Sequence, residues 1–233
     1  MLQSKKLFTG VVFARGNSKE IKNKNLLKFN KITLVECAVR QAYETKLLKK
    51  VYISSDSKKI IKAAKKQKAI VPFVRPKKLS TDTSPEILSW RHFINYLKKN
   101  NIKTDYIVSV PTTSPLRKVS DIKKSIQLAA KKNFDIVFTI TSSSKNPFFN
   151  MVFKKNKKLR ILNYKKKFYR RQDAPKFYDL TTVCYIFKPS YVMKNNNLFS
   201  GKVGYLEIPK ERSIDIDNFL DYKFAKFLSN EKK

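Results

Sequence analysis

Only four glycines, one histidine, two cysteines and one tryptophan occur in 233 residues, and 17 acidic residues face 52 lysines and arginines. A single histidine, His92, excludes a histidine metal cluster and any catalytic triad built on more than that imidazole. After the first apolar run stands one glycine, Gly16. That excludes both the G-x-x-x-x-G-K-[ST] phosphate loop and the three-glycine dinucleotide fingerprint. Cys37 and Cys184 lie far apart in apolar-periodic segments, match no metal or redox spacing, and read as buried reduced thiols. No run approaches 18 apolar residues, and the apolar stretch near Met1 is too short for a signal-peptide core followed by a cleavage site. The expectation is a soluble, cytoplasmic protein with no membrane partner.

What is present is ample apolar material: 42% hydrophobic and 12% aromatic residues, enough for one sizeable core in a single domain spanning 1–233. The formal net charge of +35 points to a polyanion, yet the lysines are scattered in short runs such as Lys49-Lys50, Lys65-Lys66 and Lys165-Lys167. They read as a generally solvated basic surface, with a polyanion-binding surface as the alternative. Salt-sensitive sticking to nucleic acid is expected either way. No stacking motif, zinc spacing or helix-turn-helix signature supports a specific nucleic-acid partner, so a basic nucleic-acid-binding protein rests on charge alone.

Short β-branched runs at Leu7–Ala14, Lys50–Ser54, Ile70–Val74, Tyr106–Val110 and Ile136–Ile140 predict strands. Between them, Leu34/Ala38/Gln41/Ala42, Ile60/Ala63/Ala64, Ile87/Trp90/Ile94/Leu97 and Ile122/Ile126/Ala129 have helical spacing. This alternation predicts a three-layer α/β/α domain on a mostly parallel sheet, with ligands beyond the carboxyl ends of the strands. From about 142 to 182 the pattern turns irregular, with a hairpin near Lys155–Lys158. It resumes in strands at Val183–Phe187 and Val203–Ile208 and a final helix from about Asn218 to Leu228.

The turn after the first strand, Ala14-Arg15-Gly16-Asn17-Ser18-Lys19, combines a permissive glycine and turn-forming amides with Arg15, Lys19 and Lys24. It reads as a phosphate site or as a solvated basic turn. Ser213–Asp217 alternates apolar and acidic residues, which over a short strand puts Asp215 and Asp217 on one face. Adjacent carboxylates repel unless a cation neutralises them, and Mg²⁺ is commonly held by one or two carboxylates plus substrate phosphates. A polar strand edge with Asp217 capping the last helix is the alternative. Asp56, just before a helix, reads as a cap. Arg117 in Thr112–Arg117, and the pair Arg170-Arg171, are candidate anion partners, and His92 reads as structural.

Taken in order, ARGNSK with KN (14–19, 24–25), ISSD (53–56), RP (75–76), TDT (81–83), TSPLR (113–117), RRQ with Pro175 (170–175) and SIDID (213–217) resemble the acylneuraminate cytidylyltransferases, or CMP-nonulosonate synthetases. They span residues 7 to about 228, and the NPFFNMV and RRQDAPKFYD segments look most like bacterial members acting on legionaminic-type sugars. The resemblance implies a Rossmann-like nucleotide-diphospho-sugar transferase fold. It also implies attack of a sugar acid on CTP giving CMP-sugar and pyrophosphate, with Mg²⁺, in a homodimer whose 143–182 extension reaches the neighbouring subunit. Carried over by motif, Arg15, Lys24, Asp215 and Asp217 are catalytic, the two aspartates holding the metal. Ala14, Arg15, Gly16, Asn17, Ser18, Lys24, Asn25, Arg75, Asp82, Thr83 and Ser84 bind nucleotide, and Thr112, Thr113, Arg171, Gln172 and Tyr185 face the sugar. Departures at Glu20, Pro85-Glu86, Pro111-Thr112 and Thr181-Thr182 favour a sugar acid other than N-acetylneuraminic acid. A related nucleotidyltransferase using another base or a 3-deoxy-octulosonate is the alternative.

Overall fold

A computed structural model describes residues 6–163 and 168–231. Residues 164–167 of the expected extension, including the Lys165–Lys167 run, lie outside the described residues, as do the first five and last two. The strands are β1 (Phe8–Phe13), β2 (Lys28–Phe29), β3 (Ile32–Thr33), β4 (Val51–Ser54), β5 (Tyr106–Ser109), β6 (Ile136–Ser142), β7 (Val152–Lys155), β8 (Lys158–Ile161), β9 (Tyr178–Phe187) and β10 (Val203–Glu207). The helices are α1 (Leu34–Glu44), α2 (Lys58–Lys66), α3 (Glu86–Lys99), α4 (Val119–Lys132), α5 (Pro189–Lys194) and α6 (Phe219–Asn230).

The main sheet has the order β10-β6-β9-β5-β1-β4. β1 pairs in parallel with β4 and β5, and β10 with β6. β9 runs antiparallel to both its neighbours, β5 and β6. Strand alternation divides the core: Val12, Ile53 and Val108 pack with the apolar faces of α1, α2 and α4, while Val11, Tyr52 and Ile107 pack with Trp90, Phe93, Ile94 and Leu97 of α3. The result is the expected α/β/α sandwich. α1 starts where Thr33 and Glu36 close a capping box, the Glu36 N–H donating to Thr33 Oγ1 at 3.3 Å and the Thr33 N–H to Glu36 Oε2 at 2.8 Å.

Two expectations need correction. Ile70–Val74 makes only one isolated bridge, Ile70 to Tyr52. Pro72 has no N–H to extend a ladder, so the segment runs along the β4 edge without becoming a strand. Ser213–Asp217 forms no ladder either. The Lys210–Arg212 turn precedes it, and its backbone tie is to a loop, the Ile216 N–H donating to Thr113 O at 2.9 Å. Ile216 still points inward, fully buried with Ile21, Leu34 and Leu116, so the alternation keeps both aspartates on the other side. The β7–β8 hairpin stands where it was expected, turning through Asn156 and Lys157, both left-handed (φ 50° and 62°).

Candidate active site

The loops leaving β1, β4 and β5 meet at one rim. After β1 the Ala14 N–H donates to Ser54 O (3.0 Å), and the chain then crosses the end of β4. There the Gly16 N–H donates to Asp56 Oδ1 at 2.8 Å. A Cβ at position 16 would meet Ser57 Cβ at 3.1 Å and Asp56 Oδ2 at 3.3 Å, so close approach is what calls for glycine here. Asp56 is therefore a brace for the turn; Ser57 is the residue that caps α2, accepting from the Ile60 N–H. Asn25 is buried, donates from Nδ2 to Arg15 O (2.8 Å) and accepts from the Thr112 hydroxyl. Arg15 Nη1 lies 2.6 Å from Asp82 Oδ1, and Lys19 Nζ 3.5 Å from Asp82 Oδ2.

Lys24 joins this turn to the acidic segment, with Nζ 3.3 Å from Asp217 Oδ1; the Lys24 side chain is 15% exposed and that of Asp217 is 72% exposed. Asp215 sits deeper. Burial raises its carboxyl pKa, the Thr113 hydroxyl opposes the rise, the Asp217 charge adds to it, and the Thr182 hydroxyl and Lys24 pull back. Asp215 Oδ1 is buried without a hydrogen-bond partner.

The loop between these halves is held from behind. Arg117 is buried, donates from Nε to Ser114 O (2.7 Å) and from Nη2 to Pro111 O, and Gln41 Nε2 donates to Pro115 O and Arg117 O. Burial lowers the Arg117 pKa to about 10. Its bonds make Arg117 a backbone clamp rather than an anion partner. Arg170 pairs with Asp173 at 2.9 Å. His92 rests edge-on against Phe73 with ring centroids 4.4 Å apart, and both cysteines are free and buried.

A cleft of about 340 Å³ lies between the turn and the start of α3. Arg15, Asn17, Ser18, Lys24 and Asn25 line one side, Arg75, Asp82, Ser84 and Glu86 the other, with Thr112 and Thr113 between. Ala14 is buried, and Thr83 is exposed with its hydroxyl 3.4 Å from that of Thr81. Neither Gly16 nor Tyr185 lines the cleft; Tyr185 packs on Trp90 (centroids 5.6 Å), and burial, then Glu86 and Asp215, raise its pKa. Arg171 lines a separate pocket of about 210 Å³ with Ser142–Ser144 and Lys145, and Gln172 is exposed beside it.

A family model described as Cytidylyltransferase matches residues 9–228. The chain belongs to the cytidylyltransferase family. It is thus a nucleotidyltransferase, and the cytidylyltransferase is 33% identical to the CMP-N,N'-diacetyllegionaminic acid synthase of Campylobacter jejuni, over 95% of this chain and 94% of the relative. It is 32% identical to the post-translational flagellin modification protein B of Campylobacter coli, over 95% and 94%. It is 26% identical to a pseudaminic acid cytidylyltransferase of Campylobacter jejuni, over 94% of each. A solved CMP:2-keto-3-deoxy-manno-octonic acid synthetase complexed with CTP superimposes with a TM-score of 0.73 at 10% identity, covering 97% of this chain and all of that one. That likeness concerns the fold.

The cytidylyltransferase's cleft suits a hard divalent cation at one place. Asp215 and Asp217 offer oxygen ligands, one of them the orphaned Asp215 Oδ1. No group of three or more His, Cys, Asp or Glu able to hold a metal occurs among the described residues. Two carboxylates completed by phosphate oxygens and water match how Mg²⁺ is held. Three contributors escaped the sequence reading: Asp56 as a brace, Thr182 beside Asp215, and Glu86 as a cleft wall. Only Asp56 had a signal, its place at the tip of a strand opposite the basic turn. No helix among the described residues is long and apolar enough to cross a membrane.

Proposed function

We propose that this cytidylyltransferase activates a nonulosonic sugar acid of legionaminic or pseudaminic type, joining it to CMP from CTP with release of pyrophosphate. The observation that carries the reading is the meeting of Lys24 and Asp217 at 3.3 Å across the cleft. The relative named as a CMP-N,N'-diacetyllegionaminic acid synthase, matched over 95% of the chain, supports the substrate class.

In this reading the anomeric hydroxyl attacks the α-phosphorus in line, an O–P bond forms, the bond to the pyrophosphate oxygen breaks, and the hydroxyl proton is lost. The turn amides and Asn17 and Ser18 seat the triphosphate. Lys24 holds charge as it develops on the leaving pyrophosphate, and Arg15 does so after exchanging Asp82 for phosphate oxygens. Asp215 and Asp217 would hold Mg²⁺, which when bound neutralises phosphate charge and lowers the barrier to attack. Thr112 and Thr113 border the sugar. Arg171 and Gln172 come to the sugar only from a neighbouring subunit, so a homodimer with an exchanged 143–182 extension completes the single-domain site. The exposed Leu159, Tyr169 and Leu180 of that region are apolar surface suited to such a contact. The enzyme works in the cytoplasm, where CTP is available, and needs no nucleic acid or membrane.

Pyrophosphate release from CTP, UTP, GTP and ATP against N,N'-diacetyllegionaminic, pseudaminic, N-acetylneuraminic and 3-deoxy-octulosonic acids tests this. CTP with one of the first two is expected to give the fastest turnover. Release with none of the sugar acids, or fastest release with the octulosonate, contradicts the assignment. A second expectation concerns the turn. Asp56→Ala removes a charge-assisted bond to Gly16, and a rise of about 10-fold in KM for CTP with a smaller effect on kcat is expected from steady-state kinetics.

A further inference from the structure

The wall facing the basic turn carries an acid that a triphosphate does not call for. Glu86 opens α3 and lines the cleft beside Arg75, Ser84 and Ser89. Phosphates and a sugar carboxylate present only acceptors to this wall, so a carboxylate there repels them and suits a donor instead. Glu86 makes no ion pair among the described residues. Burial raises its pKa, with the Trp90 indole and then Arg75 drawing it back, so a ligand donor at this spot would restore the charged form.

Arg75 supplies the complementary half. It is 5% exposed, donates from Nη1 to Ser89 Oγ at 3.2 Å and approaches Asp56 only at 3.9 Å. Its Nε and Nη2 are buried without hydrogen-bond partners. Two unused donors therefore stand near a carboxylate on one wall of a cytidylyltransferase cleft. Cytosine presents an amino donor followed by two ring acceptors, N3 and O2, along one edge. Uracil reverses the first two positions, with an acceptor at O4 and a donor at N3.

We propose that Glu86 is a specificity residue that accepts a hydrogen bond from the exocyclic amino group of cytosine while Arg75 donates to the adjoining ring acceptors. This rests on the cytidylyltransferase reading of the cleft and deepens it to the base. Bound uridine would set O4 against the carboxylate and its N3–H against the guanidinium, two repulsive contacts in place of two attractive ones.

Direct binding of CTP and UTP, each with Mg²⁺, measured by calorimetry on the wild type and on Glu86→Gln, tests the proposal without any sugar acid. The wild type is expected to prefer CTP. A carboxamide can present either its oxygen or its amino group, so Glu86→Gln is expected to reduce the CTP-over-UTP preference by about 10-fold or more. Asp82→Asn, which removes a different acid from the same cleft, is expected to change both affinities together and keep their ratio. Glu86→Ser serves if the glutamine variant fails to fold. An unchanged ratio in a folded Glu86 variant overturns the proposal, as does a preference altered only between CTP and deoxy-CTP, which would assign Glu86 to the ribose. A wild type that binds neither triphosphate overturns the nucleotide site as well, a result distinct from wild-type discrimination that survives in the variant.

Discussion

Replacing Lys24 with alanine is expected to slow pyrophosphate release from CTP by at least about 100-fold while leaving the unfolding temperature within a few degrees of the wild type. The ammonium is the one cation of the turn in contact with the acidic segment, and it sits on the cleft wall, not in the apolar core. Its loss should fall mainly on kcat, because charge on the leaving pyrophosphate is greatest in the transition state. Lys24→Arg keeps the charge with different geometry and is expected to recover part of the rate. Equal losses in the alanine and arginine variants would show that reach and shape matter more than charge.

Asp215→Asn should separate activity from stability. Turnover is expected to fall at least about 100-fold, yet the nucleotide-free variant is expected to melt at a higher temperature than the wild type. The reason lies in linkage. The folded-state pKa of Asp215 is raised above its ordinary value of 3.8, first by burial. The native state therefore holds that proton more tightly than the unfolded chain, and the associated stability is present below pH 3.8 and lost as pH rises through the folded pKa. Asparagine cannot ionise, so its advantage in unfolding temperature should be larger at pH 7.5 than at pH 4. Mg²⁺ with CTP should raise the wild-type unfolding temperature more than that of the variant. A variant that is less stable at pH 7.5 would mean that the carboxylate is favoured by its surroundings, Lys24 among them, and not penalised.

Much of the scaffold was legible because burial leaves a periodic trace. Val11 and Val12 alternate across β1, and Trp90, Ile94 and Leu97 line one face of α3, as their spacing required. The direction of β9 was not legible. It depends on the path through residues 143–177, and chain path leaves no periodicity. Ile70–Val74 has strand composition, but Pro72 interrupts its hydrogen bonding, a backbone effect that apolar counting overlooks. Ser213–Asp217 kept the face assignment that alternation gives while lacking any ladder, since side-chain direction needs an extended chain and not a paired one. At the cleft, the basic turn and acidic couple were readable as unusual local chemistry. The Gly16–Asp56 bond spans 40 residues and Thr112–Asn25 spans 87, separations at which sequence spacing carries no geometric information. Glu86 was visible only as an acid in an acid-poor chain; its meaning comes from the unpaired Arg75 beside it.

The central claim is that the turn after β1 and the aspartates before α6 act on one triphosphate. A crystal structure of the protein with CTP and Mn²⁺, the metal located by its anomalous signal, tests it most directly. The expected result is a manganese peak bound by Asp215 or Asp217 and by a phosphate oxygen of a nucleotide whose phosphates also contact Lys24. Nucleotide bound against the turn with manganese elsewhere, or with no metal between it and the aspartates, would contradict the claim.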